Sequence, residues 1–294
     1  MNYEPTPRKE RIIIRIGPRH LSFASIGIAE AENTVYFEPY VVKSGMSMAA
    51  NLREALKQNI PAVLSENASP AEHVSASEDI RPSENIRSAK PQRALVMLDA
   101  PVLLVPVEQF EEATMEDMYN QSFPHKEAVT LLYNVLPDLN AVAVFAINKD
   151  LKTVLDDNFA DLRISTLMAP VWKHLHHRSF TGARDKLYGY FHDRRLEVFA
   201  FHQNRFKFYN QFQTNGAHDA LYFLLYVWRQ LMLDAEHDEL HIVGNLPDEW
   251  LVGELRKYLQ NAYVINPSAE FNRAPATKVK GLPFDLMALF TKGR

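Results

Sequence analysis

Eleven histidines and no cysteine set the chemistry this chain of 294 residues has available. Disulfides, thiol catalysis and thiolate metal sites are excluded, and the absence of cysteine fits a reducing compartment. Three of the histidines, His174, His176 and His177, fall in the stretch WKHLHHR. On a helix His174 and His177 share one face, the spacing a metal pair requires. No carboxylate stands close in sequence to complete such a site. Cationic residues at a helix C-terminus need no metal, because the carbonyl ends of the helix already favour positive charge. The stretch His237-Asp238-Glu239-Leu240-His241 has the outline of a zinc-protease helix but lacks its glutamate at the second position. His241 also falls in a strand pattern, so the two histidines would not share a helical face.

Other catalytic patterns are missing. Ten glycines are scattered against seventeen prolines, so neither GxxxxGK[ST] nor GxGxxG occurs. No serine sits in a Gly-x-Ser-x-Gly elbow. Asp156, Asp157 and Asp161 read as a solvated helix face. The net charge of −4 argues against a nucleic-acid binder, although the aromatic strands from Leu187 to Phe212 are interleaved with Arg and Lys. The polar N-terminus MNYEPTPRKE has no apolar signal core. The longest apolar run, Ala220 to Trp228, falls short of the ~18 residues a membrane span requires. The expectation is a cytoplasmic protein with no membrane span.

The elements that must carry any site follow a repeated order. Three strand patterns come first, Arg11–Gly17, His20–Ala29 and Thr34–Val42, the first two joined by a turn at Gly17-Pro18-Arg19. Pro39 cannot donate to a ladder, so the third strand belongs on a sheet edge. A helix from Ser47 to Ile60, capped by Ser47, follows. Residues 61–92 are rich in Ser, Pro, Glu and Asn, lack aromatics, and read as a long polar mobile loop. Strands Arg93–Leu98 and Val102–Phe110, an acidic helix near Met115–Gln121, and strands Ala128–Leu136 and Ala141–Ile147 come next. Asn148 caps a further helix, and strand Arg163–Leu167 and helix Met168–His177 close the first half.

Three strands then open a second half: Lys186–Phe191, Arg195–His202 and Arg205–Phe212. Alternation in the last puts Phe206, Phe208 and Phe212 on one face and Arg205, Lys207 and Tyr209 on the other. Helix Gly216–Leu233, strand Glu239–Val243, a helix beginning at Pro247, strand Ala262–Ile265 and helix Pro283–Phe290 complete the chain. The implied architecture is α/β, with two lobes facing a cleft.

Strand-strand-strand-helix-strand-helix-strand, written twice, resembles the actin-like ATPase superfold, a duplicated ribonuclease H-like architecture. RALVMLDAPVLLVPVEQF, the acidic helix ending near SFP, the two strands after it and NKDLKTVLDDNF resemble the inserted subdomain of actin-like pilus-assembly and secretion-platform proteins. The chain also resembles an uncharacterised bacterial family with this fold and no assigned activity. The resemblance implies a first lobe over 1–182, with an inserted subdomain within 93–160, and a second lobe over 183–294.

The resemblance also says where ATP would lie. In active relatives the first hairpin turn of each lobe carries an acidic-Gly-x-Gly sequence whose bare amides approach the phosphates. Here the first turn is Ile16-Gly17-Pro18-Arg19-His20, with one glycine, no acid and a proline without a donor. The second is Phe191-His192-Asp193-Arg194-Arg195, with an acid and no glycine. The strand end beside adenosine is matched by Ile242-Val243-Gly244-Asn245. Losing three charge-assisted hydrogen bonds of roughly 1.5–3 kcal/mol each weakens binding by about three to six orders of magnitude. Arg19, Arg194 and Arg195 could recover part of this as side-chain ligands, but Arg194 and Arg195 read first as a solvated turn.

The expectation is therefore a pseudo-ATPase without cofactor or metal, acting as a docking adaptor for an unidentified protein, with a homodimer as an open alternative. The resemblance puts a partner groove between the first sheet and the 93–147 strands, and Thr34–Val42 offers an edge for strand addition. The alternative is a weak nucleotide-binding protein, ATPase or kinase-like enzyme that uses ATP with Mg. In that case Gly17, Arg19, Asp193, Arg194, Gly244 and Asn245 line the nucleotide.

Overall fold

The computed structural model describes residues 11–28, 33–58, 93–124, 127–203 and 205–291. The polar stretch 61–92 lies outside them. The chain divides into two compact units, one formed by Met1–Leu98 and Asn148–Ile164, the other by Asp99–Ile147 and Ser165–Arg294.

The first unit is built on a mixed sheet of β1 (Ile12–Ile16), β2 (Leu21–Ile28), β3 (Asn33–Tyr40), β4 (Arg93–Leu98) and β8 (Asp161–Thr166), in the order β3-β2-β1-β4-β8. β1, β2 and β3 are antiparallel neighbours and β1 runs parallel to β4. β1 is buried along its whole length, as its unbroken IIIRI run requires of a central strand. Pro39 lies on β3, the sheet edge, where its missing donor breaks no ladder. Helices α1 (Met48–Lys57) and α3 (Lys149–Asn158) pack together. Their caps are the ones the sequence implies: Ser47 Oγ accepts from Ala50 N, and Asn148 Oδ1 accepts from Asp150 N and Leu151 N.

The second unit holds two sheets. The smaller has order β5-β7-β6, from β5 (Val102–Pro106), β6 (Val129–Leu136) and β7 (Ala141–Asn148). Its core is Val105, Val142 and Val144 closed by Tyr119 of the acidic helix α2 (Met115–Ser122). The Tyr119 hydroxyl donates to Pro101 O at 3.1 Å. The larger sheet has order β11-β10-β9-β12-β13, formed by β9 (Lys186–His192), β10 (Arg195–His202), β11 (Arg205–Gln213), β12 (Glu239–Gly244) and β13 (Ala262–Val264). In each five-stranded sheet the spatial order is third, second, first, fourth, fifth strand. The repeat seen in the sequence is therefore a repeat of sheet topology. The remaining helices are α4 (Ala169–Ser179), α5 (Ala217–Gln230), α6 (Trp250–Leu255), α7 (Pro267–Glu270) and α8 (Phe284–Thr291).

Alternation assigns the two faces of the large sheet. Leu187, Phe191, Leu196, Val198, Leu240 and Ile242 join Leu224 and Trp228 of α5 and Leu251 of α6 in one apolar core. The other face carries Tyr188, Tyr190, His192, Glu197, Phe199 and His241, an unusually polar buried set. β11 departs from its sequence reading. Its pairing with β10 runs Ala200↔Phe208 and then Phe201↔Phe206, so Lys207 is an extra residue at a bulge. One inserted residue reverses the alternation beyond it. Phe206 thus leaves the face of Phe208 and Phe212 and packs with Phe201 at 5.1 Å and edge-on to Trp172 at 5.3 Å. Tyr209 meets Trp172 from the same side at 5.0 Å. A second correction concerns Pro247, which precedes α6 instead of opening it. The helix begins at Trp250, whose N–H bonds to Asp248 Oδ1 at 3.1 Å.

Trp172 is fully buried between these rings. Trp172→Ala is expected to lower stability by about 3–5 kcal/mol, read as a fall in unfolding midpoint in urea.

Candidate functional site

The expected nucleotide residues fall at three places. Gly17 and Arg19 belong to the β1–β2 hairpin of the first unit. Gly17 N donates to His20 O at 3.0 Å, and Arg19 is exposed. The His20 ring lies directly over Gly17, so that a Cβ there would sit 2.0 Å from His20 Cε1. The close approach that glycine permits is thus taken up by the imidazole.

Asp193 and Arg194 form the two-residue β9–β10 turn, in the second unit. Both adopt the left-handed region, with φ of 46° and 64°, as a type I′ hairpin turn requires. Asp-Arg replaces the usual Asn-Gly, so this turn is held by its surroundings. Thr214 N donates to Arg194 O at 3.0 Å, and Arg195 Nη1 donates to Asp99 Oδ1 at 2.7 Å. Arg195 is therefore an ion-pair partner of a buried acid and not a solvated turn residue, while Arg194 is exposed as read.

Gly244 ends β12 in parallel register with Phe191 of β9. Its φ is +100°, and an added Cβ would lie 2.1 Å from Phe191 O. Asn245 N donates to that same oxygen at 2.9 Å, and its side chain is exposed. Gly244 is required by the chain's own packing.

Around the β9–β10 turn the polar face of the large sheet ends in a buried charged cluster. β9 aims His192 inward, stacked 4.9 Å from Tyr190, whose hydroxyl donates to buried Asp285 of α8 at 2.7 Å. β10 places Glu197 on the same face, and Tyr209 lies diagonally across from it on β11. His192 Nε2 is 3.3 Å from Glu197 Oε1, and Nδ1 is 3.4 Å from Asp193 Oδ2 and 3.9 Å from Asp99 Oδ2. Tyr209 donates to Glu197 Oε2 at 3.0 Å. Burial by itself pushes His192 down. The hydrogen bonds to Asp193 and Glu197, with the charges of Glu197 and Asp99, outweigh it and raise the imidazole to about 9. Burial, and then the Glu197 carboxylate, hold the Tyr209 phenol well above its ordinary range.

Sequence reading missed Asp99, His192, Glu197 and Tyr209 as a group. The one available signal was Glu197 in an otherwise apolar strand, LEVFAF, where alternation demands that it point inward.

A second polar group lies further along the same face. Glu270 of α7 accepts from Arg178 at 2.5 Å and pairs with His174 at 2.8 Å, so the carboxylate that the sequence seemed to lack comes from ninety-six residues downstream. The bond to His174 holds Glu270 below the usual range. His176 Nε2 bonds to Gln203 O, and His177 Nδ1 to Lys173 O. His241 lies in β12, as read, and pairs with Glu239 at 2.8 Å. Burial depresses it below 6.5, and Arg178 and Lys186 push in the same direction.

These features define a class. The chain has the actin-like ATPase fold, and it is similar to the crystal structure of a Bacteroides thetaiotaomicron VPI-5482 protein with that fold and unknown function. The TM-score is 0.74 at 22% identity, over 97% of this chain and 96% of that one. The family described as "Protein of unknown function (DUF3822)" matches residues 4–262, and the chain belongs to it. A second similar structure is the PilM–PilN type IV pilus biogenesis complex, with a TM-score of 0.54 at 15% identity over 97% of this chain and 99% of that one. No curated protein matches the sequence.

Gly244→Ala is expected to destabilise the protein by more than about 2 kcal/mol in thermal or chemical unfolding, because strain at positive φ adds to the clash with Phe191 O. The depressed His241 gives a pH signature. A group with a lowered folded pKa stabilises above its unfolded value of 6.5, and this contribution is lost as pH falls below it. The melting temperature of His241→Phe, which keeps a ring beside Tyr188, should therefore fall less between pH 7.5 and pH 5.5 (about two units around that value) than that of the native protein.

Proposed function

We propose that this chain is a non-catalytic actin-like protein that docks a protein partner. The observation that carries the reading is the commitment of the β9–β10 turn to its own neighbours. Arg195 is spent on Asp99, His192 on Asp193 and Glu197, and the bare face of Gly244 on Phe191 O. A triphosphate needs free amides and uncommitted cations at such a turn. Of the two arginines at this turn only Arg194 stays exposed, and no glycine bares the backbone there, which weighs against ATP with Mg.

The docking half is supported by a cavity of about 400 Å³ in the second unit. Val102, Leu103 and Leu104 of β5 line one wall and residues 206–211 of β11 another, with Phe123 between. β5 and β11 are both edge strands, each with one neighbour. An edge presents unpaired backbone donors and acceptors, and an extended segment from another protein satisfies them by strand addition. This groove differs from the one expected between the first sheet and the 93–147 strands. The structural neighbour in which PilM is complexed with PilN accords with a partner-binding role.

Two measurements test the reading. Millimolar Mg-ATP should leave the melting temperature unchanged, whereas occupancy at one hundred times a dissociation constant would add about 2.7 kcal/mol. A photo-crosslinking residue at exposed Asn210 should capture one protein in cells, and Leu103→Lys should abolish the capture. A nucleotide-induced shift, or no captured protein, overturns the proposal.

A further inference from the structure

We propose that Asp99, His192 and Glu197 bind one divalent transition-metal ion, with Zn²⁺ the ion best suited to the donors. This inference stands apart from the docking reading. One ligand atom from each residue lies within 4.8 Å of the other two, and all three residues are buried. Ligands about 2.1 Å from Zn²⁺ in a tetrahedron are about 3.4 Å apart, so movements on the order of 1 Å gather the set. His192 Nε2 and Glu197 Oε1 already stand at 3.3 Å.

The surrounding bonds leave Asp99 Oδ2 uncommitted, and an ion would take the place of the proton shared by His192 Nε2 and Glu197 Oε1. Arg195 holds Asp99 by Oδ1, and Tyr209 holds Glu197 by Oε2. Glu197 Oε1 stands 3.3 Å from His192 Nε2 and Asp99 Oδ2 3.9 Å from Nδ1, so bringing both to one ring nitrogen requires the imidazole to shift within the 4.8 Å set. Asp99 Oδ2 is buried, belongs to a side chain only 3% exposed, and receives no hydrogen bond among the described residues. A buried anionic oxygen without a donor is costly, and a cation is the group that answers it. The bonds from Arg195 and Tyr209 match the outer contacts by which metal-binding carboxylates are oriented.

Charge points the same way. Asp99, Asp193 and Glu197 contribute three negative charges and Arg195 one positive charge, leaving −2 when an ion takes the place of the extra proton on His192. A divalent ion cancels this. One imidazole with two carboxylates favours Zn²⁺ over Mg²⁺, and water completes the fourth position. The bound ion would fasten the segment after β4 to the β9–β10 hairpin.

The test uses the full chain after removal of metal with a chelator. Titration with ZnCl₂ should show one tight site per chain, and Co²⁺ should give the intense visible bands of a tetrahedral complex. Asp99→Asn and Glu197→Gln should each weaken Zn²⁺ at least about a hundredfold and abolish the Co²⁺ bands, while Tyr209→Phe weakens it about tenfold. His237→Ala, altering a histidine whose side chain is 74% exposed, should change nothing. If one acid variant fails to fold, the other carries the comparison, and the Co²⁺ spectrum of the native chain needs no variant. The proposal is overturned by absence of a tight site, by absence of tetrahedral bands, or by binding that survives both acid variants.

Discussion

The large sheet depends on how it keeps charge buried at one end of its polar face. His192 and Glu197 are each almost wholly enclosed, and Asp99 is nearly so. Ionised groups in such a place cost several kcal/mol apiece unless each meets an opposite charge or a donor. Arg195 meets Asp99, the imidazole lies between Asp193 and Glu197, and Tyr209 supplies the donor on the far side of Glu197. Breaking one member strands the next. The cluster therefore acts as a unit, and it ties the β9–β10 turn, the edge strand β11 and the segment following β4 into one arrangement.

This constraint explains features that local preference opposes. Arg194 holds φ of 64° in a turn that favours glycine, at a cost of about 1–2 kcal/mol for a residue with a Cβ. The flanking pairs His192↔Arg195 on the ladder and the bond from Thr214 to Arg194 O keep it there. The bulge at Lys207 has a similar logic. By reversing the alternation it brings Phe206 beside Tyr209 against Trp172, where the two rings enclose the outer side of the polar face. An uninterrupted strand would have put Phe206 in the other core.

Much of the fold was legible because it follows from short-range rules. Strand limits, the edge position of Pro39, the caps Ser47 and Asn148 and the repeated strand order each rest on a few adjacent residues. The charged cluster was not legible. Its members lie on three separate stretches, at Asp99, at 192–197 and at Tyr209, and only strand pairing brings them together. Glu270 escaped for the same reason, being ninety-six residues from His174. Arg195 was misread because a turn sequence says nothing about an acid arriving from elsewhere. The face of Phe206 was misread because a bulge is a property of two strands, and the sequence of one shows no irregularity.

Both five-stranded sheets have the same order, so each has a hairpin between its first and second strands at the same topological position. The fold requires a hairpin there and leaves its residues open. The two turns nonetheless spend their freedom differently. In the first, glycine admits a close neighbour, and the neighbour is the His20 ring. In the second, the chain accepts left-handed strain at two residues with side chains and surrounds them with ion pairs. The two turns thus reach the same topological position by unrelated sequences. A fold that needed only stability would use Asn-Gly at the second turn and an apolar residue in place of Glu197, since a buried ionic group seldom outperforms good packing. The chain carries the costlier arrangement, so the strain of the turn and the burial of Asp99 and Glu197 are sustained together by the ion pairs around them.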